Sequence, residues 1–239
     1  MLNFSLRCSL LAFLLAQFSA NGAFAQTESP KLRFPLTKTE VLRTPNFVLD
    51  TSEIPDDVAA QKWAEEAKVL CEEWFPVLCK FLATENWTPP ETIVLAMKKK
   101  WDAPGSTSGN TISISTPWIT GHPDDFGMVI HELVHVVQHY PHSRTNPGWL
   151  VEGIADYVRY WKYEPEVPHR RVDAKASYRD GYGTTGSFLA YLTNKYDRRL
   201  VRQLDAALRK NEYKESLFKD ATGKELPDLW TEFVESQRK

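Results

Sequence analysis

Apolar residues follow two rhythms along this chain, and the change between them divides it into two parts. In the first part, Val41 to Asp50 carries a strand-like stretch centred on Phe47, Val48 and Leu49. Thr92-Ile93-Val94-Leu95-Ala96-Met97 is a continuous apolar run, the pattern of a buried strand. Thr111-Ile112-Ser113-Ile114-Ser115 alternates with period two, as a half-exposed strand does. Between the first two strands, Pro55 and Asp56-Asp57 open a helix in which Val58, Trp63, Ala67, Leu70, Trp74 and Phe75 recur near helical spacing. Gly105 to Gly109 reads as a Ser/Gly loop.

From His122 onward the period is helical. Pro123-Asp124-Asp125 signals a helix start, with acids facing the positive end of the helix dipole. Phe126, Val129, Ile130, Leu133, Val134 and Val137 then give a broad buried face. Pro141 to Gly148 is a loop, a second helix runs from Trp149 to about Trp161, and a third spans Tyr182 to Tyr196. The last forty residues are helical and amphipathic. Strands with one helix, then helices only, predict an α+β fold.

The N-terminus follows a different logic. Arg7, the apolar run Leu10 to Ala16 and the small-residue site Ala23-Phe24-Ala25 have the order of a secretory signal. The expected organisation is a leader over 1–25, a loose lead-in over 26–38 and one domain over 39–239. The mature protein is thus expected to be secreted or otherwise extracytoplasmic. Loss of the leader removes Cys8 and leaves 28 basic against 31 acidic residues. That balance disfavours nucleic acid or an anionic membrane as partner. Cys71 and Cys79 remain, eight positions apart. An unbroken helix would hold them about 12 Å apart, too far for a bridge, but Pro76 lies between them. A disulfide and two buried thiols both stay open.

The candidate chemistry lies in His131-Glu132-Leu133-Val134-His135. Residues four apart stand on one helix face, so the two imidazoles can converge on one ion, and zinc suits them. Glu132, rotated by about 100° from His131, can serve as general base toward a water beside that ion. Glu152 and Asp156, again one turn apart, lie on the next helix, and Glu152 follows His135 by seventeen residues. Glu152 can complete a His-His-Glu site for one zinc ion. Asp156 can accept the other ring N–H of a histidine ligand. The helix around these acids is mostly apolar, and a carboxylate there is costly unless engaged.

H-E-x-x-H followed by E-x-x-x-D on the next helix resembles the gluzincins, the thermolysin-like zinc peptidases. More closely, residues 131–138 and 148–159 are similar to the basic secretory protein family of plants and bacteria, and Asp180 to Leu189 resembles its third recurring block. The resemblance implies a secreted, peptidase-like protein with a zincin-like fold. In that fold a small mixed sheet places its edge strand beside the active-site helix, and a mostly helical C-terminal part follows. Thr111 to Ser115 is the expected edge strand, able to pair with an extended peptide substrate.

Peptide hydrolysis also needs a donor for the developing oxyanion. Tyr182 is the first candidate and Tyr178 the second. His139 falls about 80° off the ligand face and is expected to be structural or solvent-facing. His122 and His142 lie near the helix ends, His169, Arg170 and Arg171 are candidates for lining a groove, and Gln138 is expected to pack or hydrogen-bond. The leading expectation is a zinc metallopeptidase acting on peptide or protein substrates. The alternatives are a non-catalytic zinc-binding interaction module on the same scaffold, and a metal-free helical protein with a coincidental motif. An intact Glu132 favours the enzyme.

Overall fold

The βαβ connection at the start of the fold sets the direction of the sheet. Strand β1 (Asn46–Asp50) and strand β2 (Thr92–Lys98) pair in parallel, and parallel neighbours need a long crossover. Helix α1 (Val58–Phe81) supplies it. Its first turn is capped by the Asp57 side chain, which accepts from the Ala60 N–H at 3.0 Å. The computed structural model describes residues 43–141, 146–167, 172–173 and 175–238, and these elements belong to one unit, Val41–Lys239. The leader, the lead-in, His142, His169, Arg170 and Arg171 lie outside the described residues.

Helix α1 runs through Pro76 without ending. Pro76 and Glu72, whose carbonyl it leaves unpaired, are both exposed, so water can satisfy that carbonyl. Cys71 and Cys79 therefore stand on one continuous helix, both free and both buried. Burial pushes both thiols up, that of Cys79 to about 12.

Two further strands follow as a hairpin, β3 (Gly105–Ser108) and β4 (Thr111–Ser115), antiparallel to each other. The sheet order is β1-β2-β4-β3, so β4 inserts between β2 and β3. This corrects two expectations. Gly105 to Ser108 is a strand and not a loop, and it is β3, not Thr111 to Ser115, that forms the edge on this side. The physical reason is that Gly-Ser-Thr-Ser carries no apolar alternation; a short polar edge strand with no second neighbour has none to carry.

Leu95 stands beside Ile112 and Met97 beside Ile114, all four buried, and this face of the sheet lies on α1 and on helix α3 (Gly127–Gln138). A short helix α2 (Thr116–Gly121) leads from β4 toward α3. Apart from His135, every residue of α3 is buried, because α1, the sheet and helix α4 (Gly148–Val158) surround it. Helix α4 passes into a π-helical turn, Arg159–Tyr163, in which the Glu164 N–H reaches back to the Arg159 carbonyl at 3.0 Å. Helix α5 (Tyr182–Lys195) packs along α4. Gly153 permits this closeness: a Cβ there would lie 2.2 Å from Thr185 Cγ2.

Helices α6 (Leu200–Arg209), α7 (Ser216–Thr222) and α8 (Leu226–Ser236) complete the described chain. Asp205 on α6 is fully buried and accepts from the Ala83 N–H, the Tyr140 hydroxyl and Arg209 Nε at 2.7–2.9 Å. The result is the expected α+β arrangement, a small mixed sheet followed by a mostly helical part. No helix among the described residues is long and apolar enough to cross a membrane.

Candidate metal centre

The start of α3 is fixed before its histidines appear. Asp125 Oδ1 accepts the Met128 N–H at 3.2 Å and Arg159 Nη2 at 2.6 Å, while Arg159 Nε donates to Glu164 at 2.7 Å. This ties the first turn of α3 to the π-helical turn that ends α4. With the two helices locked in register, His131 and His135 on α3 face Glu152 on α4.

His131 Nε2 lies 3.1 Å from His135 Nε2 and 3.2 Å from Glu152 Oε2, and His135 Nε2 lies 3.3 Å from the same oxygen. Among the described residues this is the one group of three His, Cys, Asp or Glu side chains able to hold a metal ion. The other nitrogen of each ring is committed elsewhere. His131 Nδ1 stands 2.6 Å from Asp156 Oδ1, and His135 Nδ1 stands 2.7 Å from Gln138 Oε1. The Gln138 amide donates in turn to the Val151 carbonyl at 3.0 Å, which sets which end of the amide faces His135. Each ring thus gives its Nδ1 proton to an acceptor and turns the Nε2 lone pair inward.

Three electron-pair donors then point at one place. One proton satisfies a single contact among them, whereas a cation at the centre satisfies all three. Their spacing also fits one. Tetrahedral zinc with bonds of 2.0–2.1 Å has ligand–ligand edges of about 3.3–3.4 Å, close to the 3.1–3.3 Å observed. The local charge points the same way. Burial alone would push the His131 imidazolium down, but Asp156 and Glu152 outweigh it and raise its pKa to about 9. Burial would raise the Glu152 carboxyl, but its bonds to His131 and His135 win and hold it at about 2. The pocket favours positive charge at its centre.

The triad opens on a cleft of about 1180 Å³ that Glu132, Asp156 and Tyr182 also line. Glu132 is 7% exposed, with Oε2 at 2.8 Å from the Thr107 hydroxyl of β3. Tyr182 begins α5 with φ +46° and is 57% exposed; its ring stacks 6.1 Å from that of His131. The Glu152 charge raises its phenol pKa, with burial adding to the effect, which keeps the O–H as a donor.

Tyr178 stands elsewhere, packed against Trp149, Phe188 and Trp230. His139 ends α3 in a left-handed conformation, exposed where it lines the cleft. His122 is outside the cleft, stacked on Trp118 at 3.9 Å. Sequence reasoning gave Gln138 no particular partner, although its place three residues after His135 on one helix face was a usable signal. Thr107 was missed altogether, because a contact from a Ser/Gly-rich strand to α3 leaves no periodic trace.

The family model described as peptidase of plants and bacteria, BSP, matches residues 51–233. No curated protein and no solved structure matches the chain.

Proposed function

Since the chain belongs to this BSP family of plant and bacterial peptidases, we propose that it is a secreted, zinc-dependent peptidase with one ion held by His131, His135 and Glu152. The observation that carries this reading is the convergence of three donors at 3.1–3.3 Å, with both Nδ1 protons committed outward. Two imidazoles and a carboxylate are a catalytic zinc set, and the ion when bound supplies Lewis acidity to a peptide carbonyl and to a nearby water.

The chain's own residues do the rest. Glu132 takes the proton of the attacking water and returns it to the departing amine. Tyr182 offers its hydroxyl to the oxygen that becomes negative as the carbonyl is attacked. Asp156 and Gln138 hold the two imidazoles in the tautomer that presents Nε2. Secretion rests on the order of charge, apolar run and A-x-A site over 1–25. A single peptidase domain over 39–239 is consistent with the extent of the family match. The partner is a peptide or protein, with no nucleic acid and no membrane.

The test joins metal analysis with cleavage. Wild type should carry one zinc per chain and cut a peptide library or casein in a chelator-sensitive way. Glu132→Gln should keep the zinc and lose the cutting. Normal turnover by that variant would overturn the mechanism, and absence of zinc would overturn the site.

A further inference from the structure

Gly105 and Thr107 stand two apart on β3, so their side-chain positions share one face of the strand. That face meets Glu132. Thr107 Oγ1 lies 2.8 Å from Glu132 Oε2 and 2.9 Å from the Glu132 backbone carbonyl oxygen. At Gly105 an added Cβ would lie 2.6 Å from Met128 Sδ, 3.0 Å from Glu132 Cγ and 3.2 Å from Oε1. The two oxygens of this buried carboxylate therefore differ. Oε2 is engaged by a hydroxyl, while Oε1 accepts no hydrogen bond from the described residues.

Resting on the peptidase reading above, we propose that Thr107 is a positioning residue for Glu132. Its hydroxyl fixes the rotation of the carboxylate so that Oε1 is the oxygen that takes the proton from water and hands it to the leaving amine nitrogen. A hydroxyl has one proton, and this one has two acceptors on the same residue. While Glu132 is charged, the proton goes to Oε2, since a bond to an ionised acceptor is the stronger. Once Oε1 holds a proton, the hydroxyl can turn to the backbone carbonyl with no heavy atom moving. Thr107 thus supports Glu132 in both states of the cycle.

The test compares Thr107→Val, which keeps the branched shape without the hydroxyl, with Thr107→Ser, which keeps the hydroxyl without the methyl. Thr107→Val should lower kcat by about 10–100-fold, the scale of a misplaced catalytic group. Its KM should stay within about twofold, on the premise that Thr107 acts in the chemical step and not in substrate binding. Zinc content should match wild type, both variants should be fully folded at the assay temperature, and Thr107→Ser should recover most of the rate. Unchanged kcat in Thr107→Val, an equal loss in both variants, or a loss explained by lost zinc or by unfolding at the assay temperature would overturn the proposal. Wild type that binds zinc yet cleaves nothing brings down the peptidase reading and this inference with it. Active wild type with an equally active Thr107→Val brings down the inference alone.

Discussion

His131 Nδ1 lies 2.6 Å from Asp156 Oδ1, and this buried contact joins the two helices that carry the candidate metal ligands. Asp156→Asn keeps an acceptor there but removes the charge that makes the imidazole a stronger donor. Zinc affinity, measured by competition with a chelator, should fall about 10–100-fold, the usual effect of losing such a partner. Asp156→Ala should fall further.

Gln138 links His135 to the Val151 carbonyl, so Gln138→Leu leaves the His135 ring N–H without its acceptor and the Val151 carbonyl with its helical partner alone. The expected cost is about 1–3 kcal/mol, the range for an unmet buried polar group. Urea unfolding of the chelator-treated protein would measure it, and zinc affinity should fall less than in Asp156→Ala.

Gly153 stands between Glu152 and Asp156 on α4, where a Cβ would meet Thr185 Cγ2 at 2.2 Å. Gly153→Ala must push α4 away from α5 and so disturb both acids at once. It should lower stability by about 1–3 kcal/mol, as overpacking does, and weaken zinc binding together with it. An alanine variant with unchanged Tm and zinc content would show that the helix pair has slack.

The pH dependence of the metal-free protein follows from His131. Burial opposes its charge, but Asp156 and Glu152 raise its pKa from 6.5 to about 9. The folded state then binds the proton more tightly than the unfolded state. The stability gained is fully present below pH 6.5 and is lost as pH rises through about 9. Glu152 acts at the other end: its carboxyl, held at about 2 against an ordinary 4.5, contributes above pH 4.5 and loses this as pH falls through 2. Thermal melts of chelator-treated protein should show Tm declining between pH 6.5 and 9. Zinc-loaded protein should not decline in that window.

Much of this was legible in the sequence, and what was missed has a common cause. The H-E-x-x-H string and the E-x-x-x-D on α4 announce themselves because helical spacing alone places each pair on one face. The similarity of residues 131–159 to the basic secretory protein family agrees with the family match over 51–233. The period-two pattern of Thr111 to Ser115 identified a strand but not its neighbours. Burial alternation is the same for an internal strand of a one-sided sheet as for an edge. The short polar β3 carries no hydrophobic signal, so the true edge, and with it Thr107, was hidden. Pro76 marked a possible break in α1, and only its position on the exposed face explains why the helix continues.

The buried carboxylate of Asp205 has a wider consequence. It answers the Ala83 N–H just past α1, the Tyr140 hydroxyl just past α3 and Arg209 on its own helix. Arg209 reaches on to the Val137 carbonyl, inside the helix that carries the histidines. The smallest fragment able to stand alone therefore cannot stop at α5, where the last cleft-lining tyrosine lies. Trimmed there, the chain would expose the seam under α1 and take from the Ala83 N–H and the Tyr140 hydroxyl their shared carboxylate partner. The boundary of the independent unit lies beyond α6, set by a residue that takes no part in the chemistry.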